Sequence, residues 1–243
     1  MTVQILGIQF HKGDIKEVLN ILIEKGGLIT VPAAPALVSI MKDSEYYDAL
    51  LNSDIVIPDS GYMVLIWNFF SRKKIYKLSG LEFINYFIDN IQKIKGDNFI
   101  LVNPSDKDGR INQAYLNEKG LSLDTENLYT APFYNGNIKD YELLELIENQ
   151  KPKWVLINIG GGTQEKLGLF LKENLRYSPA IICTGAALAF KTGRQVNMPY
   201  WIDQIYLGWF VRCLKDPKAF VPRYLAGFKL LPLIFKYKSL KIN

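Results

Sequence analysis

Apolar positions in this chain fall into two patterns that alternate along it: short unbroken runs, and stretches spaced three and four residues apart. Met1 to Ile8 reads as an opening strand, and Leu28-Ile29-Thr30-Val31 as a second that stops at Pro32. Asp54 to Ile57, Asn98 to Val102, Leu128 to Phe133, Trp154 to Ile159 and Ala180 to Thr184 read as further strands. Runs of this kind, apolar without alternation, suit strands covered on both faces. Between them, Val18, Leu19, Leu22 and Ile23 set a helix from Ile15 to Glu24, ended by Gly26-Gly27. Helical spacing returns through Leu37, Val38, Ile40 and Met41, in Glu45 to Asn52 and Tyr62 to Trp67, from Leu78 to about Ile94, and in Tyr141 to Glu148. Strand and helix alternate with no repeat and no low-complexity linker. The pattern predicts an α/β, Rossmann-like layered domain with a mostly parallel sheet over residues 1–198. From Pro199 the chain is helical in spacing, rich in aromatic residues, and cut by Pro217, Pro222 and Pro232. A basic helical C-terminal appendage over residues 199–243 is therefore expected.

Charge sharpens that division. The formal net charge is +5 over 243 residues, and the excess sits at the end. From Val211 onward Arg212, Lys215, Lys218, Arg223, Lys229, Lys236, Lys238 and Lys241 face the single acid Asp216. This asymmetry implies an anionic partner for the tail. Basic segments carrying Trp and Phe suit an anionic membrane surface, although the same aromatics can bury against the body. Partial burial is expected for Tyr200 to Leu214. For Tyr224 to Tyr237 the membrane is expected, with Leu225, Phe228, Leu231, Leu233, Ile234 and Phe235 entering it beside Lys229, Lys236 and Lys238. No run reaches the roughly 20 apolar residues of a spanning helix, and the N-terminus lacks the charged start and apolar core of a signal peptide. A soluble or peripheral protein is expected. Cys183 and Cys213 have no metal-like spacing, which suits a reduced cytosolic compartment. His11 is the only histidine, so Ser-His-Asp and His-metal mechanisms are improbable.

Candidate chemistry gathers where strands end. After Trp154 to Ile159 come Gly160-Gly161-Gly162-Thr163-Gln164-Glu165 and then a helical pattern. A strand passing through glycine into a helix N-terminus can hold an anion, with free N–H groups and a partial positive charge. The same glycines permit a turn with no ligand, and Glu165 is also good first-turn chemistry. The loop is neither G-x-G-x-x-G nor a P-loop. Asp59, in Pro58-Asp59-Ser60-Gly61, stands at another strand end, where a carboxylate can act as general base or simply cap the next helix. Small residues at Pro32-Ala33-Ala34-Pro35 leave room for a ligand or pack closely. Asp106-Lys107-Asp108 matches the D-x-D pattern of metal-binding glycosyltransferases but reads as a turn and helix cap.

These blocks, in this order, resemble the TagA/WecG/CpsF glycosyltransferases of bacterial surface polysaccharide synthesis. The likeness covers nearly the whole chain. It runs through Val31 to Pro35, Asp54 to Gly61, Leu78-Ser79-Gly80-Leu81-Glu82, Gly160 to Glu165 and Gly185 to Gly193, and ends in the tail around Trp209, Arg212, Pro217 and Arg223. The resemblance implies an inverting transfer of a sugar, often N-acetylmannosamine, from a UDP donor to a polyprenyl-diphosphate-linked saccharide in surface polysaccharide or teichoic acid synthesis. The setting it implies is the cytoplasmic face of the membrane, with the protein bound peripherally. Asp59 is then the base, with Arg212 and Arg223 completing the site near a diphosphate. The donor is expected at Gly160, Gly161, Gly162, Gln164, Glu165, Asn103 and Gly185, and the acceptor at Val31, Ala33 and Ser79. No metal, cofactor or nucleic acid is implied, and a homo-oligomer is left open.

Three departures stand out. Val31-Pro32-Ala33 replaces the family's usual Thr-Pro-Asn, Gly162 replaces the proline of Gly-x-Pro-x-Gln-Glu, and the strand from Asn98 ends in Asn103-Pro104-Ser105 rather than glycines. Two other readings are an NAD(P)-dependent oxidoreductase, opposed by the missing G-x-G-x-x-G, and a non-catalytic membrane adaptor that kept a nucleotide-binding fold.

Overall fold

The computed structural model describes residues 1–242 apart from 95, 137, 186, 193–212, 215 and 216, and leaves undescribed the side chains of 190, 219, 220, 223 and 224. Eight strands are described: β1 (Thr2–Ile5), β2 (Ile8–His11), β3 (Gly27–Thr30), β4 (Ile55–Val56), β5 (Phe99–Asn103), β6 (Leu128–Thr130), β7 (Trp154–Ile157) and β8 (Ala180–Cys183). They form one sheet in the order β1-β2-β4-β3-β8-β7-β5-β6. Every pairing is parallel except β1 with β2. The helices are α1 (Ile15–Lys25), α2 (Ala34–Ser39), α3 (Ser44–Leu51), α4 (Gly61–Phe70), α5 (Gly80–Asp89), α6 (Asp106–Glu118), α7 (Tyr141–Gln150), α8 (Thr163–Asn174), α9 (Ala187–Lys191), α10 (Pro217–Gly227) and α11 (Leu230–Tyr237). The α/β expectation holds.

The unbroken apolar runs arise because both faces of the sheet are covered. Phe99, Leu101, Trp154, Leu156, Ala180 and Ile182 join one core with α1 and α5. Their strand neighbours Ile100, Val102, Val155, Ile157, Ile181 and Cys183 point the other way, under α7 and α8. Alternation is present in the geometry and invisible in the residue types.

The opening segment is a hairpin rather than the single strand expected. Leu6 and Gly7 take φ of 52° and 80°, the two positive values of a tight hairpin turn. Leucine is not a turn residue, and tertiary bonds hold it there. The Tyr47 hydroxyl donates to the Leu6 carbonyl at 2.7 Å, and the Leu6 N–H donates to the Lys238 carbonyl at 2.7 Å. The predicted helix from Leu78 to Ile94 stops at Asp89, and a short 3-10 turn (Ile91–Lys93) comes after it.

The residue-199 boundary falls outside the described residues, but the C-terminal helices α10 and α11 are tied to the body. Leu230 and Ile234 of α11 are buried in one core with the N-terminal hairpin, α3 and α4. Ile234 was expected at the membrane and belongs instead to this core. α10 ends against α2, with Gly227 so placed that a Cβ would lie 3.7 Å from that of Ala34. Close packing thus explains at least part of the small-residue stretch. Among the described residues no helix is long and apolar enough to cross a membrane.

Candidate active site

Three strand ends, those of β3, β4 and β8, converge on Asp59. After β4 the chain turns through Pro58, and the Ser60 hydroxyl accepts from the Met63 N–H at 3.0 Å to cap α4. Asp59 is therefore not the cap of that helix. Its Oδ1 accepts from the Gly80 N–H at 3.1 Å instead, at the start of α5. Ser79 and Glu82 form a capping box there, in which the Glu82 N–H donates to Ser79 Oγ and the Ser79 N–H to Glu82 Oε2. Gly80 makes a close approach: a Cβ on it would lie 3.2 Å from Val31 Cγ1 and 3.4 Å from the Thr184 carbonyl oxygen. Val31, Asp59, Ser79 and Thr184 so share one corner of the sheet's carboxyl edge. Ser79 and Val31 are buried, and Asp59 is half-exposed.

The glycine loop lies beyond β7. No described residue stands within 4 Å of a Cβ placed on Gly160, Gly161 or Gly162, so among the described residues the loop borders open space on the sides those hydrogens face. Only Gly162 is required by conformation, at φ 91°. Its N–H donates to Glu165 Oε2 at 2.6 Å. Gln164 Nε2 donates to Glu165 Oε1 at 2.9 Å, while Gln164 Oε1 accepts from the Gly185 N–H at 3.0 Å. The Cys183 thiol donates to the Gln164 carbonyl at 3.3 Å. Gln164 and Glu165 are each only 2% exposed. They face inward and lock the loop after β7 to the turn after β8. Burial raises the pKa of Glu165, and the hydrogen bonds from Gln164 and Gly162 oppose that shift. The Tyr46 hydroxyl of α3, buried without a hydrogen-bond partner, lies close enough for Glu165 to help hold its pKa up, after burial itself.

A second polar junction sits between β5 and β7. α6 leaves β5 towards one face, burying Leu116, and α8 leaves β7 towards the other, burying Leu167 and Leu171. Connections that part in this way leave a crevice at the strand ends, the usual ligand position in such sheets. Asn103, fully buried, accepts from Asn112 Nδ2 at 2.8 Å and from Asn158 Nδ2 at 3.4 Å. Asn158 is half-buried just before the glycines and was absent from the sequence-predicted set. The signal was a lone amide inside an apolar run.

Asp106 and Asp108 occupy the first turn of α6, behind the Ser105 cap, where they accept from Thr130 and Ser105. That is the turn-and-cap placement expected. Ala33 is the N-cap of α2 and offers no side-chain bond, so the departure from the family turn removes a polar group at this edge. Arg212 lies outside the described residues, and Arg223 is on α10 with its side chain undescribed.

The site therefore offers an anchored carboxylate, an open glycine loop at a helix start, and a polar crevice between β5 and β7. Over 195 residues, 79% of this chain and 73% of that protein, the sequence is 21% identical to a Bacillus subtilis (strain 168) N-acetylglucosaminyldiphosphoundecaprenol N-acetyl-beta-D-mannosaminyltransferase. Residues 3–242 match the Glycosyl transferase WecG/TagA/CpsF family, to which this glycosyltransferase belongs.

Proposed function

We propose that the chain transfers N-acetylmannosamine or a related hexose, with inversion, from a UDP-sugar to a polyprenyl-diphosphate-linked saccharide at the inner face of the membrane. The observation that carries the reading is the half-exposed Asp59 carboxylate, anchored on Gly80 N–H at a convergence of strand ends. In this mechanism the Asp59 carboxylate takes the proton of the acceptor hydroxyl. The hydroxyl oxygen bonds to the anomeric carbon from the face opposite the nucleotide. The bond from that carbon to the donor phosphate oxygen breaks, and its electron pair leaves with UDP. Developing negative charge on the diphosphate is met by the partial positive charge at the N-terminus of α8, with Arg212 and Arg223 assigned to the same task.

Gln164 and Glu165 act in this reading by shaping the loop rather than by touching the nucleotide. Asn158 and the outer face of Gly160 and Gly161 take the contact role. Val31-Pro32-Ala33 lies beside the acceptor, so loss of the family's polar pair there bears on which sugar is accepted. No metal is assigned, and chelation should leave turnover intact. Membership in an enzyme family, together with an intact Asp59 corner, favours this over a non-catalytic adaptor. The test is to incubate the purified chain with UDP-N-acetylmannosamine, other UDP-hexoses and a short-chain polyprenyl-diphosphate N-acetylglucosamine, and to follow UDP release and product mass. Stoichiometric UDP and a disaccharide lipid are expected. Absence of transfer from every UDP-sugar would overturn the proposal.

A further inference from the structure

Apart from Gly61 and Asn68, α4 is built of apolar and aromatic residues, yet the body covers only part of it. Met63, Val64, Ile66 and Trp67 enter the core, while Leu65 is 58% and Phe69 82% exposed. Large apolar side chains on an uncovered helix face are ordinarily met by protein or by lipid. The uncovered stripe continues onto the C-terminal helices. Phe70 meets Phe235 edge-on at 5.7 Å, and Tyr62 meets Phe228 at 5.3 Å. Phe228, Leu231 and Phe235 are themselves exposed. Two segments far apart in sequence thus build one apolar face from Leu65, Phe69, Phe70, Phe228, Leu231 and Phe235.

The rim of this face is basic. Neither Gly61 to Leu81 nor Pro217 to Asn243 contains an aspartate or glutamate. Arg72, Lys73 and Lys74 come directly after α4 and are exposed, as are Lys229, Lys236 and Lys238. The turn that carries the first three is fixed in place. Trp67 Nε1 donates to the Lys73 carbonyl at 2.7 Å, and Asn68 exchanges bonds of 2.7 and 2.9 Å with the backbone of Ile75. Lys74 folds back onto the Asn68 carbonyl. Aromatic side chains beside a pre-set cluster of cations fit the interfacial region of an anionic bilayer, where each basic residue adds attraction and each apolar one adds burial.

We infer that α4 and the Arg72-Lys73-Lys74 turn form a membrane-docking element in their own right, continuous with α11, which seats this face on an anionic bilayer. The inference rests on the transferase reading for its purpose: α4 begins two residues after Asp59 and spans about 15 Å. Docking at its far end holds the carboxylate one short helix from the surface that carries a lipid-linked substrate.

The test uses the full chain and vesicles of phosphatidylglycerol with phosphatidylcholine, or of phosphatidylcholine alone, without substrate. Leu65→Ser/Phe69→Ser should lower sedimentation with the anionic vesicles by at least about tenfold. Arg72→Glu/Lys73→Glu should lower it by a similar factor in low salt, and the difference from wild type should shrink in high salt. Both pairs alter exposed side chains, so unfolding midpoints should hold. The charge pair keeps the test decisive if the serine pair fails to fold. Wild-type binding by both folded variants would overturn the inference. So would a serine variant that binds normally but loses a dimer seen for wild type, because the face would then join two copies of the chain. Transfer to a short, water-soluble acceptor is read separately. Its absence in wild type would sink the transferase reading and leave the docking result standing.

Discussion

At the ends of β7 and β8, the side chains of Gln164 and Glu165 are buried and bonded to one another and to the neighbouring loops; at the ends of β3 and β4, the Asp59 carboxylate is half-exposed and accepts from the Gly80 N–H. The first region ties a glycine loop to the neighbouring strand end through bonds to Gly162 and Gly185. The second brings a helix start close against two strand ends, where a Cβ at position 80 would lie 3.2 Å from Val31 Cγ1. Both regions carry carboxylates at the edge where such sheets bind ligands. Burial, more than residue type or position, separates the Glu165 carboxylate that ties the loop from the half-exposed carboxylate proposed for proton transfer.

The largest effect that would sharpen this contrast is on turnover. Asp59→Asn should cut transfer by about a hundredfold or more while UDP affinity and unfolding midpoint stay near wild type. An active mutant would erase the distinction between the two regions.

Gln164→Ala should behave in the opposite way. It strands the Gly185 N–H and one side of Glu165 in the interior, a loss of roughly 1–3 kcal/mol of stability. Urea unfolding would show the deficit, with weaker UDP binding arising from a loosened loop. Unchanged stability would mean that Gln164 is not part of the scaffold.

Within the loop itself, Gly162→Ala and Gly160→Ala form a matched pair. The first forces a side chain into a positive-φ conformation and should cost about 1–3 kcal/mol. The second points a methyl into open space, so the fold should be unaffected and only UDP affinity, read by calorimetry, should drop. Equal UDP affinity in Gly160→Ala would place the nucleotide elsewhere.

His11, outside both regions at the end of β2, supplies the smallest effect and a control. Burial lowers its pKa from the ordinary 6.5, against the attraction of Glu17. A depressed folded-state pKa gives stability that is complete above 6.5 and is lost as pH falls through the folded value. His11→Asn should flatten that acid-side loss in urea melts between pH 7 and 5 without altering transfer. An identical pH slope in mutant and wild type would mean that His11 titrates alike in both states.

Much of this was legible in the chain. The β/α alternation, the Ser79-to-Glu82 capping box and the strand-end position of Asp59 are local features, fixed by spacing and by residue chemistry close in sequence. The inward turn of Gln164 and Glu165 was not legible, because a polar pair in a first helical turn looks the same whether it meets solvent or the next strand end. Asn158 was hidden inside an apolar run. Ile234 was expected at the bilayer because Leu, Ile and Phe alternate with lysine around it, and spacing alone does not say which side of a short helix meets the body.

By itself, the sequence determined the layered α/β class, the strand-end position of Asp59, the glycine loop and the basic tail, since each stems from periodicity or from neighbours a few residues apart. The tertiary structure alone decided the hairpin at Leu6, held by Tyr47 and Lys238, and the pairing of α4 with α11 into one apolar face. Those depend on contacts between segments some 40 to 230 residues apart, where no local preference of the chain can specify the partner.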